Sequence, residues 1–271
     1  MITITNNEFS QLASYIKANY GINLKEEKQA LVTGRLQNVL IQKGFNNFTE
    51  YYNYILKDKS GEAVVTLLNK ITTNHTFFLR EEDHFYYLRD NILPILTSQV
   101  KSKDLRIWSA GCSSGEEPYT IAMLLDEFFG PEKLAWDTKV LATDISSKKL
   151  EEAQNGIYNT GEISVLPSSW KLKYFNRYDN ENSILNERLR KEVIYRKFNL
   201  MEEKFPFKKK FHVIFCRNVM IYFDAQTKQE LVDKFYDSLE YGGYLFIGHS
   251  EAINRETTKL KFIKPAIYKK E

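Results

Sequence analysis

The chain has 271 residues, of which 43% are hydrophobic and 27% are charged. This composition is that of a folded globular protein with a substantial core, and it excludes the intrinsically disordered class. The 38 Lys and Arg residues nearly balance the 35 Asp and Glu residues, and the net charge of +3 argues against a protein whose main ligand is nucleic acid.

The chain carries no signal for membrane insertion or secretion. No apolar run approaches the roughly 18 residues of a transmembrane helix. The first residues have neither the basic nor the apolar region of a secretory signal peptide. The two cysteines, Cys112 and Cys216, have no metal-ligand spacing around them. We therefore expect a reduced, cytoplasmic protein that does not insert into membranes.

The first hundred residues have helical periodicity. Apolar side chains recur at intervals of three or four residues, and Gly21 and Gly44 stand where helices would end. Asn47 or Thr49 is suited to begin the next helix. Because strand patterns are weak before about residue 104, we predict an all-helical N-terminal domain at 1–78, followed by a linker helix at 79–103.

From residue 104 to residue 271 the pattern changes to that of an α/β domain. Short apolar or β-branched runs alternate with helical stretches, which predicts βαβ units and a mostly parallel sheet. The runs are 105–110, 139–143, 193–198, 212–216 and 244–248. Residues 157–192 break the alternation and contain turn residues and a charged run, so we interpret them as a small insertion between two core strands.

A glycine-containing loop follows the first predicted strand. Gly111 and Gly115 allow a tight strand-to-helix turn and close approach of a ligand, and Pro118 suits the first turn of the helix. The loop lacks the dinucleotide fingerprint, and Glu116 and Glu117 stand where a pyrophosphate would meet the helix N-terminus. Carboxylates there would repel a pyrophosphate but attract a cationic sulfonium, which favours S-adenosylmethionine over NAD. An ordinary tight turn is the alternative.

Polar residues end two further predicted strands. Asp144 follows the second strand, where an acid can accept hydrogen bonds from ribose hydroxyls; the alternative is that Asp144 or Ser146 caps the next helix. Arg217 and Asn218 follow the buried run 212–216, and polar groups there need partners. They either face a ligand crevice, or Arg217 forms a salt bridge and Asn218 caps a helix.

Together these segments resemble the CheR-type chemotaxis receptor glutamate O-methyltransferases. The similar blocks lie in family order and span nearly the whole chain; they are residues 71–81 (ITTNHTFFLRE), 108–120 (WSAGCSSGEEPYT), 142–145 (ATDI), 215–224 (FCRNVMIYFD) and 242–251 (GGYLFIGHSE). Two positions depart from the family pattern: Gly111, where Ala is frequent, and Leu79.

The resemblance implies a helical N-terminal domain followed by a Rossmann-like class I methyltransferase domain with a small inserted antiparallel β subdomain. It implies S-adenosyl-L-methionine as cofactor and S-adenosyl-L-homocysteine as product. The cofactor contacts it implies are Asn74, Thr76, Arg80, Gly111, Glu117, Asp144, Asn199, Leu200, Asn218 and Val219.

The expected reaction is methylation of glutamate carboxylates on the cytoplasmic helical bundle of chemotaxis receptors. We predict that Arg80 orients the substrate carboxylate or the cofactor and that Tyr222 lines the methyl-transfer site. The four histidines are scattered in the sequence, and we assign no metal. We expect a monomer. A methyltransferase acting on RNA or a small molecule, or a non-catalytic S-adenosylmethionine-binding signalling module, is the alternative.

Overall fold

The computed structural model describes residues 2–72 and 75–271. The chain forms two compact units. The first unit comprises Met1–His75 with Tyr222–Thr227, and the second comprises Thr76–Ile221 with Lys228–Glu271. The domain boundaries that we predict at residues 78 and 103 stay predictions. Within the described residues no helix is long and apolar enough to cross a membrane.

The first unit is helical, as predicted. Its α-helices in the described residues are α1 (Asn6–Tyr20), α2 (Gln29–Lys43), α3 (Phe48–Lys57) and α4 (Glu62–Ile71). Helix α1 begins with a capping box between Thr5 and Glu8. Gly21 and Gly44 end α1 and α2 with φ of +72° and +76°, a conformation that glycine adopts without a steric penalty. Asn47 caps α3. The helix boundaries therefore follow from local residue types.

The second unit contains two sheets. Their strands are β1 (Ile107–Ala110), β2 (Val140–Asp144), β3 (Ile157–Asn159), β4 (Phe175–Arg177), β5 (Asn182–Leu185), β6 (Val193–Lys197), β7 (Phe211–Cys216), β8 (Leu239–Ile247), β9 (Lys261–Lys264) and β10 (Ile267–Lys269). The large sheet has the order β6-β2-β1-β7-β8-β10-β9. Its strands from β6 to β8 pair in parallel, and β10 pairs antiparallel with β8 and β9. This is the predicted Rossmann-like sheet, extended by a C-terminal hairpin that the sequence pattern did not predict.

Helices occur between the strands of the large sheet and before it. They are α5 (Asp83–Tyr87), α6 (Leu93–Gln99), α7 (Glu116–Phe129), α8 (Ser147–Asn155), α9 (Ser168–Tyr174), α10 (Glu187–Arg190) and α11 (Ala225–Ser238). A π-helical turn, Leu88–Ile92, joins α5 to α6. The rings of Phe215 on β7 and Phe246 on β8 stack with centroids 4.4 Å apart. Trp108 on β1 is fully buried. Aromatic side chains thus fill the core beside the central strands.

The predicted insertion forms a separate small sheet. Strands β3, β5 and β4 pair antiparallel in that order, between β2 and β6 in the chain. This sheet contacts the glycine-containing loop directly, because the Tyr158 hydroxyl on β3 donates a 2.7 Å hydrogen bond to the Ser114 carbonyl. The insertion therefore helps to fix the loop that follows β1.

A buried carboxylate on α7 ties the insertion to the large sheet's helical layer. Asp126 is only 6% exposed, and it accepts hydrogen bonds from Arg188 at 2.6 Å and from the Tyr174 hydroxyl at 2.8 Å. The Lys173 ammonium lies 3.0 Å away. Burial acts to raise the pKa of Asp126, but the hydrogen bonds from Arg188 and Lys173 outweigh it and hold the pKa well below its usual range. Asp126 is therefore ionised and stabilises the folded state at neutral pH.

We expect Asp126→Asn to lower the free energy of unfolding by about 1–3 kcal/mol at pH 7, because hydrogen bonds to a charged acceptor are lost. The folded pKa of Asp126 is below its unfolded value. Its stabilisation is therefore complete above the unfolded pKa and is lost as the pH falls toward the folded pKa. In urea unfolding, the free energies of unfolding of the wild type and of Asp126→Asn should differ less at about pH 3 than at pH 7.

The matched control is Glu187→Gln. Glu187 forms a 2.7 Å ion pair with Lys191 on the surface, where both side chains are about 70% exposed. Exposed pairs of this kind contribute little, so the unfolding free energy should equal that of the wild type within experimental error. Equal destabilisation by the two substitutions would contradict the role given to Asp126.

Candidate active site

The carboxyl ends of β1, β2 and β7 meet at one edge of the large sheet. Strand β1 pairs in parallel with β2 on one side and with β7 on the other. The strand order reverses at this point, and in open α/β sheets such a switch point is where ligands bind. The predicted site segments after these three strands are therefore neighbours.

The loop after β1 has a backbone that requires glycine at both ends. Gly111 has φ of +85°, and a Cβ there would lie 2.5 Å from a methyl carbon of Val219. Gly115 has φ of +97°, and a Cβ there would meet the side chains of Ala153, Tyr195 and Tyr158 at 2.8–3.0 Å. The loop thus approaches the segment after β7 closely, and Gly111 lies against Val219.

Asp144 lies at the end of β2 and faces this loop. Its carboxylate accepts hydrogen bonds from the backbone N–H groups of Ser113 at 2.8 Å and of Ser146 at 2.9 Å. Burial raises the pKa of Asp144 above its usual value, although these hydrogen bonds oppose the shift. Ser146, rather than Asp144, caps α8, because its hydroxyl accepts from the Lys149 N–H. Of the two helix-capping alternatives, the one for Ser146 is confirmed.

The two acidic residues at the start of α7 have different environments. Glu116 is buried and accepts a hydrogen bond from the Ser114 hydroxyl, and burial raises its pKa. Glu117 accepts from the Ser109 hydroxyl at 2.7 Å and from the Arg217 guanidinium at 3.0 Å. The negative charge of Glu117 is therefore paired by a cation within the protein.

Arg217, directly after β7, connects three segments of the second unit. Its side chain is 2% exposed. Besides Glu117, it donates to the carboxylate of Glu81 from Nη2 at 3.0 Å and from Nε at 3.3 Å. It also donates to the backbone carbonyl of Arg80. The salt-bridge alternative for Arg217 is thus confirmed. Hereafter Arg217, Glu81 and Glu117 are called the arginine cluster.

The turn that carries Arg80 is strained. Leu79 and Glu81 on either side of it have φ of +57° and +56°, the left-handed conformation that non-glycine residues rarely adopt. Each such residue costs of the order of 1–3 kcal/mol and persists only where its surroundings enforce it. Here the surroundings are the contacts of the arginine cluster with the Arg80 carbonyl and the Glu81 carboxylate. The turn therefore depends on the arginine cluster for its conformation.

Asn218 is held by a second buried carboxylate. It has φ of +60°, and its N–H donates to Glu251 at 2.9 Å. Glu251 also accepts from the N–H groups of Gly248 at 2.6 Å and Ile221 at 3.1 Å. Burial raises the pKa of Glu251 despite these hydrogen bonds. The amide of Asn218 in turn donates to Glu81 at 3.4 Å, which links Asn218 to the arginine cluster.

The remaining predicted site residues, which are four cofactor contacts and the catalytic candidate Tyr222, have fewer described contacts. Asn199 and Leu200 follow β6, and their segment starts beside Asp144, whose carbonyl accepts from the Phe198 N–H at 3.0 Å. Thr76 begins the second unit, whereas Asn74 lies outside the described residues. Tyr222 ends a 3₁₀ turn, Met220–Tyr222, and belongs to the first unit.

Sequence reasoning missed Glu81 as a site residue, and it missed the approach of two histidines to it. Ligand atoms of Glu81, His84 and His249 lie within 4.8 Å of one another. His84 is fully buried, and burial and the nearby Arg217 lower its pKa to about 4. Glu81 and His84 are three residues apart, but His249 is distant in the chain, so no spacing pattern indicated that the three residues meet. The one signal in the sequence that pointed to Glu81 is its position at the end of the resembling block 71–81.

The cysteines near the site are buried thiols. Cys112 lies in the loop after β1 and Cys216 ends β7, and both are free. Burial raises the pKa of each thiol well above its usual value, so neither is a thiolate at neutral pH.

Two family models match the chain. Residues 74–268 match the model described as CheR methyltransferase, SAM binding domain, and residues 7–72 match that described as CheR methyltransferase, all-alpha domain. The parallel sheet, the glycine-containing loop and the acid after β2, together with these matches, define an S-adenosylmethionine-dependent methyltransferase.

Curated relatives agree with the family models. The chemotaxis protein methyltransferase of Borreliella burgdorferi is 49% identical over 272 residues, covering 99% of this chain and 96% of its own length. The probable chemotaxis protein methyltransferase of Rhizobium etli is 37% identical and covers 89% and 91%. The chemotaxis protein methyltransferase of Escherichia coli is 35% identical and covers 92% and 86%. The chain belongs to the CheR methyltransferase family, as its motifs predict.

We expect Gly115→Ala to weaken binding of S-adenosylmethionine at least tenfold. The added methyl group cannot be accommodated without moving Ala153, Tyr195 or Tyr158, and the positive φ adds strain. Titration calorimetry measures the dissociation constant. Gly34→Ala in α2 is the control, because nothing lies within 4 Å of its Cβ position. Unchanged cofactor affinity in Gly115→Ala would contradict a cofactor role for this loop.

Proposed function

We propose that the protein methylates glutamate side-chain carboxylates on chemotaxis receptors, giving glutamate methyl esters for sensory adaptation. The names of the relatives support the chemotaxis assignment, and the CheR family models support the cofactor. The substrate in this proposal is the helical bundle of a receptor's cytoplasmic part, so the protein acts in the cytoplasm. We further propose that it acts as a monomer.

The convergence of three segments on Arg217 is the observation that carries the proposal. The turn at Arg80, the start of α7 at Glu117 and the segment at Asn218 contact the arginine cluster directly. Asp144 accepts a hydrogen bond from the loop after β1, and Gly111 belongs to that loop. We propose as cofactor contacts the set inferred from the sequence: Asn74, Thr76, Arg80, Gly111, Glu117, Asp144, Asn199, Leu200, Asn218 and Val219.

The residues suit a nucleoside with a cationic sulfur. S-adenosylmethionine supplies a methyl group on a sulfonium. The carboxylate of Asp144 is suited to accept hydrogen bonds from ribose hydroxyls. The arginine cluster combines one cation with two carboxylates, so its net charge is negative and attracts a cation rather than a pyrophosphate.

Methylation of a carboxylate requires no general base. A glutamate side chain has a reference pKa near 4.3 and is already ionised at neutral pH. The protein must instead hold the attacking oxygen in line with the methyl carbon at about 3 Å, which is catalysis by proximity. It must also avoid over-stabilising the carboxylate, because charge is neutralised on the way to the transition state.

Arg80 and Tyr222 are the residues that we propose for the reacting groups. Arg80 orients the substrate carboxylate or the cofactor, and the strained turn around it supports a functional role, since strain is retained where surroundings enforce a particular geometry. The Arg80 guanidinium lies 5.9 Å from the centroid of the Phe77 ring. Tyr222 lines the methyl-transfer site in this proposal, on the strength of the sequence resemblance.

Transfer of labelled methyl from S-adenosylmethionine to receptor cytoplasmic fragments tests the reaction. We expect label on the receptor that mild base releases as volatile methanol, because a carboxyl methyl ester is base-labile. Fragments with the acceptor glutamates changed to alanine are the control and should take up no label. Label that resists base, or label on RNA or a small molecule instead, would contradict the proposed substrate.

A further inference from the structure

The position of Arg80 depends on residues outside the proposed cofactor set. Its carbonyl accepts from Arg217, and both of its neighbours have left-handed backbone conformations. The Leu79 N–H donates to the Thr120 hydroxyl at 3.5 Å, a weak contact. Among the described contacts of the turn, those with the arginine cluster are shorter than this one, and in them Arg217 holds the carbonyl of Arg80 and the side chain of Glu81 at once.

Glu81 uses both of its carboxylate oxygens. Oε2 accepts twice from Arg217, while Oε1 accepts from the Asn218 amide at 3.4 Å and from the His249 N–H at 3.2 Å. Burial would raise the pKa of Glu81, but the charge and hydrogen bonds of Arg217 outweigh it and the pKa lies below its usual value. The side chain is 14% exposed. Glu81 thus fastens its own turn to the segments after β7 and β8.

The nearby histidines do not make this a metal site. Glu81, His84 and His249 offer suitable ligand atoms, but the carboxylate of Glu81 is already paired with the buried guanidinium of Arg217. Oε2 of Glu81, the oxygen that faces His84, already accepts two hydrogen bonds from Arg217, so a metal ion at this oxygen would have to break that ion pair. The interactions of Glu81 are those of an ion pair that holds the backbone.

We propose that Glu81 is a positioning residue for methyl transfer, which acts through Arg217 to hold the turn that places Arg80. This inference rests on the proposed function. Glu81 does not contact the reacting atoms. Its contribution is to the orientation of the guanidinium of Arg80, so its effect on turnover requires that Arg80 be present.

A double-mutant cycle on receptor fragments tests this inference. We expect Glu81→Gln to lower kcat about tenfold or more, since small misplacements of a catalytic group are costly. The dissociation constant of S-adenosylhomocysteine should change little, whereas the melting temperature should fall because the buried guanidinium of Arg217 loses one of its two carboxylate partners. The kcat values are therefore measured well below the melting temperature of each variant. Arg80→Ala should lower kcat by about 100-fold. Adding Glu81→Gln to Arg80→Ala should cost less than about twofold more, because non-additivity marks residues that act together.

Glu82→Gln is the matched control, because Glu82 is the exposed neighbour in the same turn. Its kcat should equal that of the wild type. Effects of Glu81→Gln and Arg80→Ala that multiply in the double variant, or an unchanged kcat in Glu81→Gln, would overturn the inference. If Glu81→Gln does not fold, Glu81→Asp replaces it in the double-mutant cycle. Its carboxylate keeps the charge but lies one methylene further from Arg217.

The outcome for the wild type separates the two claims. Base-labile label in the wild type with an additive cycle rejects the positioning role alone. A wild type that yields no methanol from receptor fragments rejects the proposed function, and the role of Glu81 in that reaction with it.

Discussion

The buried guanidinium of Arg217 is the interaction on which the rest of the site depends. A buried charge costs several kcal/mol unless it is paired and its donors are satisfied. Arg217 meets this requirement only because Glu81, Glu117 and the carbonyl of Arg80 converge on it from separate segments. The turn before α5, the start of α7 and the end of β7 must therefore be in place together. If one of these segments were displaced, the charge of Arg217 or of a carboxylate paired with it would be left uncompensated.

This constraint suits the proposed reaction, in which charge disappears. A carboxylate and a sulfonium neutralise each other during methyl transfer, so a strongly polar site that favours the separated charges would slow the reaction. Two carboxylates of the site are instead satisfied within the protein, Glu251 by backbone N–H groups and Glu117 by Arg217. Rigid, internally satisfied groups can orient reactants without further reorganisation.

Local patterns predicted the architecture well, because each strand and helix end depends on nearby residues. The alternation of apolar runs predicted the parallel strands β2 and β7, and glycines predicted the ends of α1 and α2. The hairpin of β9 and β10 escaped prediction because its strands are only four and three residues long, too short to show a clear alternation. The pairing of Arg217 with Glu81 spans 136 residues, so only the folded chain could disclose it.

The most direct measurement of this site is a crystal structure with bound S-adenosylhomocysteine. We expect the ribose hydroxyls within hydrogen-bonding distance of the Asp144 carboxylate, the loop from Gly111 to Gly115 against the ligand, and Arg217 still paired with both Glu81 and Glu117. A ligand bound away from the ends of β1 and β2, or a guanidinium of Arg217 that turns out to hold the ligand instead of the two carboxylates, would contradict this interpretation of the site.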